Sequence, residues 1–290
     1  MKGIFRIGAW RPKSISLILA FALALLHDET MRPPEYVAGA IYDVDDTLLD
    51  NQQDSNPLSN LHQVARLAAL QTIAKQPDGK YADLLTVEAQ ENYDCFALSP
   101  VHTVAGAFYT LLKKRGILSG DIDPNHSLIL QLIELKNTEY AKLLMLHGKP
   151  VKDADTFVRD FASHFNIEDK NAVASTAILA DIQTFLDMHN LAYLFPDERI
   201  VDVARVEHPK PHPEAFDKAF LSLGLPEHER GNVVAFEDDP RGMLSARKAG
   251  LYVCGITTRY SKEFLMQVEA QPDYIADSFQ ELRGHFSLPQ

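Results

Sequence analysis

Cysteine is scarce in this sequence, which has two, Cys95 and Cys254, in a chain of 290 residues. The two do not form a CxxC pair, so the sequence does not predict a disulfide framework. Cys254 lies in the apolar run GLYVCGI, and we expect a small buried side chain there rather than a reactive thiol. The eleven histidines also lack metal-binding spacings such as HExxH.

Excess positive charge and long apolar runs are lacking as well. The net charge is −12, so we do not expect a nucleic-acid partner bound through phosphates. Hydrophobic content of 46% and charged content of 23% are ordinary for a globular protein. An acidic protein that handles anionic substrates must concentrate positive charge locally, so single lysines and arginines become informative.

The first thirty residues differ from the rest of the chain. Basic residues precede an apolar run, Ile15–Leu26, which is too short to span a bilayer comfortably. We expect residues 1–30 to be a non-structural extension of a cytoplasmic protein, with Met31 as a second possible start. An export signal or anchor, or a packed helix, are the alternatives.

The sequence VAGAIYDVDDTLLD, which begins at Val37, organises the chain. Its apolar part predicts a buried strand, and three acids, Asp43, Asp45 and Asp46, follow together with Thr47. A turn needs one capping acid rather than three, and like charges this close repel. A hard divalent cation would hold them ionised, although a plain acidic turn is an alternative explanation.

This segment resembles the DxDxT signature of the haloacid dehalogenase superfamily, which consists mostly of Mg²⁺-dependent phosphatases. Three further blocks match that family in the expected order: AVAST at 172–176, KPHPEAF at 210–216 and AFEDDPRGMLSARKAG at 235–250. The resemblance covers about residues 37–282. It implies an α/β fold, with a Rossmann-like parallel sheet core and an inserted all-helical cap domain.

The pattern of elements agrees with this architecture. Helical periodicity dominates residues 51–170, including a long helix over Ser127–His147 that Gly148 and Pro150 close. From residue 171 short apolar runs alternate with helices, which predicts a parallel sheet covered on both faces. We therefore assign residues 31–50 and 171–290 to the core and residues 51–170 to the cap.

The resemblance assigns roles to the acids. Asp43 is the expected nucleophile and Asp45 the general acid and base. Two acids, Glu237 and Asp238, follow the apolar run Val233–Phe236 and form a second acidic cluster at a strand end. For Mg²⁺ we expect the ligands Asp43, the Asp45 backbone carbonyl and Asp238, with Glu237 next.

Phosphate-binding groups are expected at two places. Ser175 and Thr176 end a predicted strand, where hydroxyl and backbone N–H groups can hold phosphate oxygens, although a serine there is more often a turn residue. Lys210 lies between prolines and could offset the carboxylates and bind the transferring phosphoryl group; taken alone it would be a solvated lysine.

Within the superfamily the sequence is most similar to the β-phosphoglucomutase and phosphatase subgroup. The segment LKNTEYAKLL resembles that subgroup's cap helix, so Lys136, Asn137 and Tyr140 are substrate-side candidates, with a solvated helix face as the alternative. The histidines His62, His102 and His212 are expected to be hydrogen-bonded within the fold or exposed rather than functional.

The expected activity is hydrolysis of a small phosphorylated metabolite, a sugar or organic phosphate, through an aspartyl phosphate. A β-phosphoglucomutase-type mutase is the alternative, and a non-catalytic binding member of the fold is a third possibility. Apolar residues Ala177–Leu179 stand where the mutases carry polar groups, and residues 99–106 lack an arginine for a second phosphate. We expect a monomer or dimer without a stable membrane span.

Overall fold

The computed structural model describes residues 32–54, 56–99, 103–269 and 271–289. The predicted extension, residues 1–30, lies outside these ranges, and so does His102. Within the described ranges there is no helix both long enough and apolar enough to cross a membrane.

A six-stranded parallel sheet with the strand order β5-β4-β1-β6-β7-β8 forms the centre of the protein. Its strands are β1 (Gly39–Tyr42), β4 (Asn171–Ala174), β5 (Ile200–Val201), β6 (Val233–Glu237), β7 (Tyr252–Ile256) and β8 (Tyr274–Ala276). Strand β1 pairs with β4 on one side and with β6 on the other. All four of its residues are buried, as expected for a parallel strand covered on both faces. The predicted α/β class with a parallel sheet is confirmed.

Helices alternate with these strands and also fill the segment between β1 and β4. Their bounds are α1 (Leu61–Ala74), α2 (Ala89–Ala97), α3 (Val104–Lys114), α4 (Ser127–His147), α5 (Ala154–Phe165), α6 (Leu179–Met188), α7 (Glu214–Ser222), α8 (Pro240–Lys248), α9 (Lys262–Leu265) and α10 (Phe279–His285). Polar side chains begin several of them; the Asn60 side chain, for example, accepts the His62 N–H at 3.1 Å and caps α1.

Apolar side chains cover the sheet on both faces. On one face the Tyr42 and Phe236 rings stack at 4.9 Å between centroids, and Phe157 of α5 packs edge-on against Phe236. On the other face Phe216 and Phe220 of α7 lie in a second buried cluster with α8. The sheet is therefore the middle layer of three, which leaves the ends of its strands as the place where polar groups can converge.

The helices α1 to α4 share a third apolar cluster of their own, which includes Leu70, Phe108 and Leu132. A short antiparallel ribbon of β2 (Leu49–Asp50) and β3 (Lys149–Pro150) joins the two points where the chain enters and leaves this helical segment. Helix α5 lies within the predicted cap range of 51–170, yet it packs on the sheet. We propose that the helical insertion ends at β3, before α5.

Candidate active site

The acids of the candidate site follow the ends of two neighbouring strands. Strands β1 and β6 run parallel with Tyr42 opposite Phe236, so Asp43 and Glu237 leave the sheet side by side. The Asp43 backbone N–H donates to the Phe236 carbonyl at 3.0 Å and extends this alignment beyond β1. Because the carboxyl ends of parallel strands lie at one edge, the sheet itself brings these acids together.

Lys210 reaches this edge from the loop before α7. Its Nζ donates to Asp43 Oδ1 at 2.8 Å and to Glu237 Oε1 at 2.5 Å. The lysine side chain is 8% exposed, and its two carboxylate partners are buried as well. One cation thus bridges the predicted nucleophile and the second acidic cluster, in surroundings where charge–charge interactions are stronger than in water.

Glu237 is held from both sides. Its Oε2 accepts the backbone N–H groups of Asp238 and Asp239, each at 3.1 Å. A β-carbon placed on Gly242 would lie 1.7 Å from Glu237 Oε1, so the first turn of α8 can pass the carboxylate only with glycine there. Both Glu237 oxygens are therefore engaged in positioning Lys210 and the loop after β6.

Asp238 adds a third buried carboxylate to this cluster. Its Oδ1 accepts from the Thr47 hydroxyl at 3.1 Å, whereas its buried Oδ2 has no hydrogen-bond partner among the described residues. Carboxylate oxygens of Asp43, Glu237 and Asp238 lie within 4.8 Å of one another. A buried oxygen without a partner in an all-oxygen donor set fits a hard divalent cation such as Mg²⁺. Because Glu237 is already engaged, Asp43 and Asp238 are the better placed ligands.

The pKa values of these two aspartates reflect the crowding of negative charge. Burial raises the pKa of Asp43 well above its usual range; the positive charge of Lys210 opposes the rise and Glu237 adds to it. Burial, followed by the charges of Glu237 and Asp43, raises the pKa of Asp238 in the same way. A further positive charge between them would favour both carboxylate forms.

Arg259 lies on the outer side of this cluster. Its Nε is 3.6 Å from Asp46 Oδ2 and 3.8 Å from Asp238 Oδ2. Asp46 has a left-handed backbone with φ of 61° and accepts the Asn51 N–H at 3.1 Å, so it shapes the turn after β1. Burial and the charge of Asp45 raise the pKa of Asp46 to about 7, against the opposing charge of Arg259.

Asp45 faces the helical insertion instead. Its Oδ1 accepts from Asn51 Nδ2 at 2.7 Å and lies 3.3 Å from the Tyr140 hydroxyl, and its Oδ2 lies 3.2 Å from His62 Nε2. The His62 and Tyr140 rings stack with their centroids 4.0 Å apart and their planes 2° apart. Helices α1 and α4 thus deliver one ring each to the predicted acid–base residue.

These contacts determine the charge of Asp45. Burial raises its pKa, but His62, Asn51 and Lys136 outweigh burial, and the pKa of Asp45 is lowered overall. Burial and the neighbouring Lys136 lower the pKa of His62. Asp45 is therefore ready to act as a base, and it can serve as an acid only when a substrate changes these surroundings.

The three residues of α4 that we expected near the substrate differ in how deeply they are buried. Lys136 is buried, with Nζ 4.5 Å from the centroid of the Tyr140 ring, and burial lowers its pKa to about 8. Tyr140 is fully buried and donates to Asn51 Oδ1 at 2.8 Å. Asn137 is half-buried, with Oδ1 3.5 Å from Lys136 Nζ. The structure thus brings Lys136 and Tyr140 next to Asp45, with Asn137 behind them.

The two hydroxyl residues after β4 also differ. Ser175 is buried, and its Oγ accepts the Ala177 N–H at 3.2 Å, which makes a local turn beside β1. Thr176 is exposed. Both lie at the same edge of the sheet as Asp43, because β4 is the neighbour of β1.

Sequence reasoning missed three polar neighbours of the acids: Asn51, His62 and Arg259. His62 and Arg66 are four residues apart on a largely apolar helix, so they lie on the same face of it. Two polar side chains on one face of such a helix indicate a polar contact with a neighbouring element. Asn51 and Arg259 lie in loops, where spacing carries no such information.

Comparisons with known proteins identify hydrolases that are similar to this chain. A family model described as haloacid dehalogenase-like hydrolase matches residues 123–256, which include Ser175, Lys210, Glu237 and Asp238 but begin after Asp43. Glycerol-1-phosphate phosphohydrolase 1 of Saccharomyces cerevisiae is 35% identical over 74 residues, which are 24% of this chain and 30% of that protein. The chain thus matches less than a third of this curated relative's length.

Solved structures of the same fold cover most of the chain. A haloacid dehalogenase hydrolase of family IA, variant 3, from Entamoeba histolytica superposes with a TM-score of 0.62 at 21% identity, over 84% of this chain and 94% of its own. A β-phosphoglucomutase from Clostridium difficile superposes with a TM-score of 0.57 at 16% identity, over 87% and 95%. Family model, relatives and fold together confirm the resemblance of this chain to the haloacid dehalogenase-like hydrolases.

Proposed function

We propose that the protein is a Mg²⁺-dependent phosphomonoester hydrolase that acts on a small sugar or organic phosphate. The observation that carries this proposal is the buried cluster at the ends of β1 and β6. In it Lys210 Nζ donates to Asp43 at 2.8 Å, and carboxylate oxygens of Asp43, Glu237 and Asp238 lie within 4.8 Å of one another. A nucleophilic carboxylate, a fixed cation and a set of oxygen ligands for a hard cation are the parts that phosphoryl transfer needs.

In the first step, an Asp43 oxygen attacks phosphorus while the bond from phosphorus to the ester oxygen breaks. Asp45 gives its proton to the departing oxygen, and an aspartyl phosphate forms on Asp43. Lys210 stays beside Asp43 and offsets the negative charge that gathers on the phosphoryl oxygens. Ser175 and Thr176, after β4, are proposed to hold those oxygens from the other side.

In the second step, Asp45 acts as the base. It removes a proton from water, the water oxygen attacks phosphorus, and the bond to Asp43 breaks to release inorganic phosphate. The lowered pKa of Asp45 suits this step, because the carboxylate is the form that accepts the proton. Asn51 and His62 hold that carboxylate in place.

We propose that Asp43, the Asp45 backbone carbonyl and Asp238 hold the Mg²⁺ ion. Glu237 would contribute indirectly, by positioning Lys210. When bound, the ion would neutralise the phosphate charge and keep both aspartates ionised. The similarity to glycerol-1-phosphate phosphohydrolase 1 supports the assignment as a hydrolase. That match covers 24% of this chain, so it does not identify the substrate.

The proposal is tested with a generic aryl phosphate. Turnover is expected with Mg²⁺, is expected to stop in excess chelator and to return when Mg²⁺ is restored. Beryllium fluoride, which mimics an aspartyl phosphate, is then expected to inhibit. Activity that persists in excess chelator would exclude the metal site, and absence of turnover across a panel of sugar and organic phosphates would favour a binding protein.

A mutase is the second candidate, because buried Lys136 places one more cation beside Asp45. A mutase must hold two phosphates, and this lysine could serve the second. The test supplies β-glucose 1-phosphate together with a bisphosphate primer. Formation of glucose 6-phosphate would support the mutase, whereas release of free phosphate alone would support the phosphatase.

A further inference from the structure

The loop that carries Lys210 has a second polar face. Its sequence from residue 207 to residue 214 is EHPKPHPE, with one histidine two residues before the lysine and one two residues after it. Lys210 is directed inward and is 8% exposed, whereas His208 and His212 are exposed to solvent. The inner residue contacts the acids of the candidate active site, and the two histidines lie on the outside.

These histidines meet a carboxylate. The His208 and His212 ring centroids are 4.6 Å apart, with 33° between the ring planes, and His208 Nδ1 lies 3.0 Å from Glu214 Oε2. One ligand atom from each of the three residues lies within 4.8 Å of the other two. Ligands of a tetrahedral zinc ion lie about 3.3 Å apart, so small rotations of two exposed side chains complete the set.

The backbone holds this arrangement in advance. Prolines at positions 209, 211 and 213 each fix their own backbone φ angle. The loop therefore loses little further conformational entropy when it is ordered. Glu214 accepts the backbone N–H groups of Glu207 and His208, each at 2.9 Å. A ligand group that is fixed before binding gives a higher affinity than one that must be ordered.

A neighbouring lysine also fixes the carboxylate. Lys218 Nζ donates to Glu214 Oε1 at 2.6 Å. The Lys218 contact engages Oε1 alone, whereas Oε2 is the oxygen that faces His208. An ion between His208 and Glu214 would replace that histidine contact without removing the Lys218 contact.

We propose that His208, His212 and Glu214 form a surface site for a borderline transition-metal ion of the Zn²⁺ type. Two imidazoles and one carboxylate favour zinc, nickel or copper over Mg²⁺, which prefers oxygen ligands such as those of Asp43 and Asp238. The site is distinct from the acidic cluster in its ligands and in its exposure. A bound ion would link the two ends of the loop on either side of Lys210. The site does not depend on the proposed phosphatase activity.

The experiment uses tag-free protein in excess Mg²⁺, with Co²⁺ as the spectroscopic probe and Zn²⁺ as its competitor. The parent is expected to bind Co²⁺ with a visible absorption band, to lose the band when Zn²⁺ is added, and to gain thermal stability with Zn²⁺. His212→Gln and His208→Gln are each expected to weaken Zn²⁺ binding by at least about tenfold. His228→Gln is the matched control, because His228 is an exposed histidine that pairs with Glu229 instead.

The substituted histidines are exposed, so the unliganded variants are expected to unfold at the same temperature as the parent. Equal Zn²⁺ affinity in the parent, His208→Gln and His212→Gln would overturn the proposal. A parent that binds neither Co²⁺ nor Zn²⁺ in excess Mg²⁺ would overturn it as well. Weaker binding in both variants but not in His228→Gln supports it.

Discussion

The candidate site has two halves that are built in different ways. The sheet half consists of Asp43, Lys210 and Asp238, and it is positioned by strand ends that the parallel register aligns. The helical half consists of His62 and Tyr140, which two helices bring against Asp45. The sheet half is a dense set of charges, whereas the helical half is mainly a stacked pair of rings with a buried cation behind it.

The two halves shift the pKa values of two aspartates in opposite directions. In the sheet half, burial and nearby acids raise the pKa of Asp43. In the helical half, His62 and Asn51 outweigh burial and lower the pKa of Asp45. Carboxylates two residues apart with opposite shifts are suited to different roles. In the proposed mechanism the sheet half accordingly needs a cation to become active, and the helical half already favours the base.

The largest effect is expected from Asp43→Asn in the sheet half. The change is nearly isosteric but removes the nucleophile, so aryl phosphate turnover is expected to be abolished while the fold survives. Lys210 keeps Glu237 as a partner, and one buried negative charge is removed, so the thermal midpoint is expected to stay the same or rise.

The matched control is Asp187→Asn, which changes an exposed acid on helix α6, outside the acidic cluster, and is expected to retain full activity. Activity and thermal unfolding are measured on all three proteins. Full activity of Asp43→Asn would end the aspartyl-phosphate hypothesis.

Asp45→Asn is expected to slow turnover by about 10²–10⁴, the usual contribution of a positioned acid–base group. The residue lies where the two halves meet, so its loss removes the proton transfers and leaves the nucleophile intact. Single-turnover measurements on an aryl phosphate check this. A rate within about twofold of the parent would remove Asp45 from the mechanism.

His62→Gln in the helical half is expected to reduce turnover by less than Asp45→Asn does, and to shift its pH dependence. His62 lowers the pKa of Asp45, so its loss raises that pKa. Whichever limb of the pH–rate profile Asp45 governs is then expected to move to higher pH. His126→Gln, at the start of α4, changes a histidine outside the site and is the control. An unshifted profile would show that the stacked ring does not tune Asp45.

The same contrast explains what the sequence could predict. The sheet half follows from short apolar runs that end in acids, because parallel strands must align their carboxyl ends, and the bounds of α4 follow from apolar periodicity with Gly148 as the stop. The ribbon of β2 and β3 was missed because two-residue strands carry no pattern. His62 was missed because its position over Asp45 depends on how α1 packs after the polar loop.

The phosphate-binding residues and the boundary of the cap both depend on more than the local sequence. The individual roles of Ser175 and Thr176 in holding phosphate depend on a ligand, and only Ser175 is buried at the strand end. The boundary of the cap depends on packing rather than on helix content, since α5 is helical and yet packs on the sheet. Periodicity identifies a helix, but its partner is determined by the tertiary structure.

The smallest effect concerns stability and comes from Lys136 in the helical half. Burial is the main cause of its pKa of about 8, against 10.5 for a free lysine, while Asp45 and Asp181 partly oppose the change. Well below pH 8 the folded protein carries this unfavourable charge in full. Between pH 8 and 10.5 the unfolded chain binds more protons at this site than the folded one, so folding stability rises with pH there.

Lys136→Met keeps the length of the side chain and removes the charge. It is expected to stabilise the protein at pH 7, by roughly 3.5 kcal/mol as an upper limit, since one pKa unit corresponds to about 1.4 kcal/mol. The gain in thermal midpoint is expected to shrink as the pH rises from 8 towards 10, because the parent then loses the same charge. Lys142→Met, an exposed lysine on the same helix, is the control and is expected to show neither effect. A variant that is less stable than the parent at pH 7 would mean that the attraction of Lys136 to Asp45 and Asp181 exceeds the cost of its burial.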